Sequence, residues 1–407
     1  MALTRCIGAQ VNLSAMQILI VDDNSNNRDV LIRRLKRLGL DNVVQAVDGI
    51  EALETLQTRP FDLVLLDVMM PRMNGVEVLK AMQAERRLED TPVIMISAAS
   101  ELDTVVRCIE LGAEDYLSKP FNPALLGARV TAVLEKKALR AENRAQLARL
   151  EQELAEARAH QLSMLPTEFP IDPAIIDIQA FIDPALEVGG DLYDVFAVGA
   201  NQLCIAVGDV SGKGTAAALF MARTRSLLRA GTLQFFSIAQ RMPLPSEVAS
   251  LVNAELCKNN PNSTFVTLLI AFLDIADGQV TYCNAGHVYP VVAGGAGVLE
   301  IANIPDPPLG ALEGLTFADH TLQMAAGDTL ILMSDGLADM RNPAMESFGD
   351  DRVLAEIEAA NSRPLSELVG RLVASARRFA DGAPQFDDVT VLALRRVGFV
   401  PLSPLTG

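Results

Sequence analysis

The 407-residue sequence predicts two domains of different class, a doubly wound parallel α/β sheet and then an α+β pair of packed sheets, joined by a long helix. Three observations lead there. The first 125 or so residues alternate short, continuously apolar runs with helical stretches, the pattern of strands covered on both faces. Residues 126 to 164 lose proline and are dominated by Ala, Glu, Arg and Leu, a helix composition. From about residue 171 short β-type runs dominate, broken by helical stretches near 215–230, 245–258 and 351–380. A chain of this length exceeds one ordinary core, and half of its residues are apolar, enough for two.

Composition narrows the classes of function. A net charge of −17 opposes a surface that tracks nucleic-acid phosphates, which needs clustered Lys and Arg, so no nucleic-acid partner is expected. The five cysteines, Cys6, Cys108, Cys204, Cys257 and Cys283, are odd in number, widely spaced and form no CxxC pair. They fit a reducing cytoplasm. No apolar run approaches the roughly 20 residues of a bilayer span, so no membrane partner is expected. Residues 1–15 lack the apolar core of a secretory signal and read as a flexible tail, as do residues 397–407.

In chain order, QILIVDD from Gln17 is a strand ending in acids, DVLIRRLKRLGL is helical, and FDLVLLDVMM is a buried strand. PVIMISA and DYLSKPF supply further strands. Ligands of such sheets sit at the carboxyl ends of the strands, where this segment carries Asp22, Asp23 and Asp67. Clustered carboxylates are costly without a cation, which implies a hard ion such as Mg²⁺. That ion would draw in a phosphoryl group and leave one carboxylate free to attack phosphorus. Lys119 supplies a point charge and Ser97 a hydroxyl donor, although alone each reads equally as a surface lysine and a strand cap.

Together, VDDN at 21–24, LLDVMMPRMNG at 65–75, ISA at 96–98 and YLSKPF at 116–121 resemble the CheY-like receiver domain of two-component response regulators. The resemblance implies a five-stranded, flavodoxin-like parallel sheet with Asp67 as phosphoacceptor. It also implies Mg²⁺ held by Asp22, Asp23, Asp67 and the Met69 carbonyl, and a phosphoryl group contacted by Ser97 and Lys119. Tyr116 would be the aromatic switch, with ordinary core packing as the alternative. The phosphoryl donor would be a sensor histidine kinase or a phosphotransfer protein.

Within the connector, Leu147, Leu150, Leu154, Ala157, Gln161 and Met164 follow 3-4-3-4 spacing, but the same register upstream falls on Asn143, Arg140 and Lys136. A coiled-coil homodimer through 126–164 and a solvated helix packed on its own domains therefore both stay open. Pro166 and Pro170 end the segment.

Beyond it, LCIAVGDV, TFVTLLIAFLD, QVTYCNAG, DTLILMSDG and DVTVLAL read as strands. Four acidic motifs border these apolar runs: GGDLYD at 189–194, GDVSGKG at 208–214, SDG at 334–336 and DD at 387–388. Brought together they would require cations, and carboxylate oxygens suit Mg²⁺ or Mn²⁺. Two hard metals can lower the pKa of a bridging water and clamp a phosphate, so no protein nucleophile is needed. None is evident, for the three histidines form no Ser/His/Asp or Cys/His set. GDVSGKG fails as a phosphate-cradling P-loop, since Val207 and Gly214 stand where Gly and Ser or Thr are required. GGDLYD lacks the glutamate and phenylalanine of the GGDEF signature of cyclic-dinucleotide synthases.

With LSMLP, NAGHVYP, PPLG and FDDVTVLAL, these motifs make residues from about 160 to 396 similar to the SpoIIE/RsbU-type branch of the PP2C (PPM) serine/threonine phosphatases. The resemblance implies two Mn²⁺ or Mg²⁺ held by Asp191, Asp209, Asp335 and Asp387, with Asp209 bridging and the Val210 carbonyl as a backbone ligand. Asp194, Lys213 and Asp388 are further candidates, either outer-shell and phosphate-facing or purely structural. His287 is a candidate general acid or a turn-stabilising residue.

The expected division is a receiver over 16–125, a helical linker over 126–166 and a phosphatase over 167–396. Phosphorylation of Asp67 would control removal of phosphate from a phosphoserine or phosphothreonine protein, by family likeness a STAS-type anti-sigma-factor antagonist. The alternative is a non-enzymatic adaptor that uses a phosphatase-like domain to bind a partner under receiver control. Such a module tends to lose its metal carboxylates, and all four are present here.

Overall fold

A computed structural model describes residues 15–98, 102–302 and 304–398. The expected tails fall outside them apart from residues 15, 397 and 398. The chain divides into two compact units, 1–150 and 151–407.

The first unit runs β1 (Gln17–Val21), α1 (Ser25–Arg37), β2 (Asn42–Ala46), α2 (Gly49–Thr58), β3 (Leu63–Asp67), α3 (Gly75–Ala84), β4 (Val93–Ala98), α4 (Leu102–Glu110), β5 (Asp115–Lys119) and α5, which begins at Pro123. The five strands form one parallel sheet in the order β2-β1-β3-β4-β5. Side chains two apart share a face, and both faces are buried. Leu19, Val21, Val64 and Leu66 pack with Leu56, Leu79 and Met82 of α2 and α3. Ile18, Ile20, Leu63 and Leu65 pack with Leu31 and Leu35 of α1 and Leu126 and Val130 of α5. β3 is buried along its whole length, and this delivers Asp67 to the carboxyl edge of the sheet. Gly75 is needed there because a Cβ at that position would meet the Asp67 carbonyl at 2.1 Å.

α5 (Pro123–Met164) is a single helix that continues into the second unit. Within the first unit its polar register has a use. Lys136 and Arg140 both pair with Glu114, Lys137 with Asp62 and Arg144 with Asp90, so residues that spoil a coiled-coil seam dock the helix on its own domain. Leu147 and Leu150 are exposed.

The second unit continues with β6 (Ile176–Asp183), β7 (Leu192–Val198), β8 (Gln202–Val210), α6 (Thr215–Ala239), α7 (Pro245–Cys257), β9 (Val266–Asp274), β10 (Gln279–Ala285), β11 (Val291–Gly294), β12 (Gly297–Glu300), β13 (His320–Gln323), β14 (Thr329–Met333), α8 (Asp350–Ala360), α9 (Leu365–Ala380) and β15 (Val389–Arg396). Two antiparallel sheets form, β13-β10-β9-β8-β7 and β12-β11-β14-β15-β6. Alternation decides which core each residue joins. Leu330, Leu332, Leu392 and Leu394 enter the core that includes β7 to β10, α6 and α7. Ile331, Met333, Val391 and Ala393 turn outward to α8 and α9. The helical stretch expected over 351–380 is two helices, because Pro364 forces an extended backbone between them. Among the described residues no helix is long and apolar enough to cross a membrane.

Candidate metal centres

In the first unit the carboxyl ends of β1 and β3 bring Asp22, Asp23 and Asp67 together, each offering an oxygen within 4.8 Å of the others. Asp22 is fully buried and fixed by donors from the Asn24 backbone at 2.9 Å and the Asn27 amide at 3.1 Å. Lys119, at the end of β5, reaches across with Nζ 2.7 Å from Asp67 Oδ2 and 3.0 Å from Asp22 Oδ2. Burial pushes Asp67 up to about 6, against the pull of the Lys119 ammonium. Burial also opposes the charge on Lys119, but its bonds to Asp67 and Asp22 raise it above the usual lysine value. Ser97 is buried on β4, paired in register with Ser118 of β5, while the Met69 side chain is exposed. Tyr116 is half-buried against the core of the α2 and α3 face, with the Arg129 guanidinium 5.0 Å from its ring centre.

In the second unit the four aspartates come from four places. Asp191 precedes β7, Asp209 lies near the end of β8, Asp335 opens a 3-10 turn after β14, and Asp387 sits just before β15. Their charges act on one another. Asp209 is raised to about 7, first by burial and then by Asp335 and Asp387, and it lies within hydrogen-bonding reach of Asp191. Asp191 is held well above the carboxylate range by burial and by Asp209. Burial and then Asp387 raise Asp335. Asp191 Oδ2 accepts from Thr390 Oγ1 at 2.5 Å, whereas its Oδ1 is buried without a partner. An orphaned carboxylate oxygen amid like charges is costly, and hard cations held by Asp191, Asp209, Asp335 and Asp387 would relieve it, so this donor set fits Mg²⁺ or Mn²⁺. The Val210 carbonyl faces the same loop, 2.9 Å from where a Cβ on Gly190 would stand.

The further candidates separate. Asp388 accepts from the backbone of Ala185 at 2.7 Å, Gly190 at 2.6 Å and Asp191 at 3.3 Å, an arrangement that orients the loop carrying Asp191. Asp194 is fully buried and clamped by Arg225 at 3.2 Å and Arg229 at 2.6 Å, which ties β7 to α6. Lys213 donates to the Phe386 carbonyl and lies 3.4 Å from Asp387. His287 is buried, with Nδ1 2.9 Å from Thr267 Oγ1 and its backbone amide donating to Asn284 Oδ1 at 2.7 Å. Burial drops it to about 4, so near neutral pH the imidazole is uncharged and holds no extra proton to donate.

Three functional contacts escape sequence reasoning. Thr390 and Ser334 are ordinary strand residues by pattern, yet Thr390 holds Asp191 and the Ser334 hydroxyl bonds the Asp388 carbonyl at 3.2 Å. Gln161, at a seam position of the connector, is buried and grips Gly189 twice, accepting from its N–H at 3.0 Å and donating to its carbonyl at 2.6 Å. A polar residue in an apolar register was the available signal. A cleft of about 480 Å³ opens beside Asp335 and is also lined by His287, Tyr289, Glu300, Asp339 and Asp350.

The family model of Stage II sporulation protein E (SpoIIE) matches residues 199–397, and that of the response regulator receiver domain matches residues 18–131. Protein IcfG of Synechocystis sp. is 32% identical over 270 residues, which cover 60% of this chain and 41% of that protein. The transcriptional regulatory protein CpxR of Escherichia coli is 48% identical over 121 residues, 30% of this chain and 50% of that one. The chain thus spans about half the length, or less, of these curated relatives. The solved SiaA-PP2C domain of Pseudomonas aeruginosa superposes with a TM-score of 0.54 at 20% identity, over 62% of this chain and 98% of that domain, a likeness of fold.

Proposed function

From a chain that joins a response regulator receiver domain to a SpoIIE-type PP2C domain, we propose that phosphorylation of Asp67 controls a metal-dependent protein serine/threonine phosphatase. The proposed division is a receiver over 16–125, a helical linker over 126–166 and a phosphatase over 167–396. What carries the reading is the mutual charge of Asp191, Asp209 and Asp335, together with the partnerless buried oxygen of Asp191.

Asp191, Asp209, Asp335 and Asp387, with the Val210 carbonyl, would hold two Mn²⁺ or Mg²⁺, which supply an activated water and polarise the phosphoryl oxygens. The chain's own residues do the positioning. Thr390 orients Asp191, Asp388 and Gln161 fix the Gly189–Gly190 turn from two sides, and Lys213 adds positive charge beside Asp387. In the receiver, Asp22, Asp23 and Asp67 would hold Mg²⁺, and Lys119 and Ser97 would contact the phosphoryl group delivered by a histidine kinase or phosphotransfer protein. Gln161 is the natural relay, because a shift of α5 would pull on the loop that carries Asp191.

The substrate class proposed from the family is a phosphoserine or phosphothreonine protein, a STAS-type anti-sigma-factor antagonist. The test is hydrolysis of p-nitrophenyl phosphate by the full chain with Mn²⁺ and with EDTA. Metal-dependent turnover that disappears in Asp209→Asn is expected. Turnover that survives the substitution would sink the metal assignment, and its absence from the wild type would favour a binding module.

A further inference from the structure

We infer that Arg341 binds the phosphoryl group of the substrate at the rim of the four-aspartate site, with Lys213 as its neighbour. This rests on the phosphatase reading and adds a residue that neither the motifs nor the metal geometry assigns.

Phe386 immediately precedes Asp387 and is 60% exposed. Two cations converge on it, Lys213 Nζ at 4.0 Å and Arg341 Cζ at 5.4 Å from the ring centre. They differ in occupation. Lys213 is engaged with the Phe386 carbonyl and Asp387. Arg341 has no ion pair or side-chain hydrogen bond among the described residues, and its Nε is buried without a partner. The guanidinium belongs to the segment that follows Asp335.

The aromatic face holds the guanidinium by its π electrons and leaves its in-plane N–H donors unsatisfied. A phosphoryl dianion supplies the missing acceptors in a bidentate, charge-assisted pair. It also needs them, because two divalent ions would only cancel the four carboxylates formally and leave no surplus positive charge for a dianion. The Arg341 backbone is bridged to Ser347, so the loop position is set independently of the side chain.

The experiment is calorimetric titration of inorganic phosphate into the Mg²⁺-loaded full chain, with the KM and kcat of p-nitrophenyl phosphate measured alongside. For Arg341→Ala, phosphate affinity should fall about tenfold and KM rise about tenfold, with kcat changed less than about threefold, and Arg341→Lys should recover part of the binding. Phosphate affinity unchanged in Arg341→Ala overturns the inference, including the case where only the KM for a phosphoprotein rises, since the guanidinium then meets the partner's acidic surface. Equal loss in the Ala and Lys variants with weakened Mg²⁺ binding overturns it in favour of a structural role. A wild type that binds phosphate through Arg341 yet hydrolyses nothing would remove the phosphatase reading and, with it, the substrate role, leaving Arg341 as a phosphate-binding residue of a non-catalytic module.

Discussion

The two acidic centres offset their own charge in different ways. In the first unit the three carboxylates are compact, and a lysine from the same sheet lies within 3.0 Å of two of them. In the second, no three oxygens of the four aspartates close to within 4.8 Å among the described residues, and the one lysine beside them is 3.4 Å from Asp387 and partly exposed. The first centre is therefore partly neutralised by the fold. On the proposed reading the second depends on ions from solution, and without them burial and mutual charge hold Asp191 and Asp209 above the usual carboxylate range.

The largest expected effect follows from that dependence. Asp209→Asn should lower Mn²⁺-dependent hydrolysis by about a thousandfold or more, because it removes a carboxylate proposed to hold the metal. Steady-state rates over a Mn²⁺ titration decide it, and a loss under tenfold would equate the second centre with an ordinary acidic patch.

Gln161→Ala sharpens the comparison next. It leaves the Gly189 N–H and carbonyl without their buried partner, at a cost of about 1–3 kcal/mol in the second unit. Denaturant melts should show that loss together with reduced turnover, while beryllofluoride binding at the receiver stays as in the wild type.

Removing metal gives a smaller effect with a definite sign. Asp209 stands at about 7 when folded against 3.8 ordinarily, so the folded state holds the extra proton and stability falls as pH rises between those values. In EDTA the melting temperature should be several degrees higher at pH 5 than at pH 7.5, and saturating Mg²⁺ should reverse the order. Glu247, lowered to about 2, titrates below that window, whereas Asp67, raised to about 6, adds to the trend and His287, lowered to about 4 against 6.5 ordinarily, opposes it below about 6.5. A flat metal-free profile in a His287→Asn background would mean that the second centre is neutralised internally after all. The smallest effect is at the first centre: Lys119→Met should move the Asp67 carboxyl further above about 6, read by carboxyl-carbon NMR titration.

Legibility in the sequence followed the range of the interaction. β3 and β14, buried along their lengths, read directly as apolar runs, whereas β2 alternates weakly between half-buried and exposed residues and left no such mark. The aspartates were legible as acids bordering apolar runs. Their partners were not, because Thr390 meets Asp191 and Asp388 meets Gly190 across nearly 200 residues of chain. The connector showed both sides of this. Its helix was plain from composition, but why Lys136 and Arg140 interrupt the seam became clear only when both were found on Glu114.

The most direct test of receiver control is the rate at which the full chain releases phosphate from a phosphoserine protein substrate in Mn²⁺, with and without beryllofluoride, in wild type and in Asp67→Asn. The expected result is a rate that changes with beryllofluoride in the wild type and is indifferent to it in the variant. An equal response in both, or none in either, would contradict the coupling of the two centres.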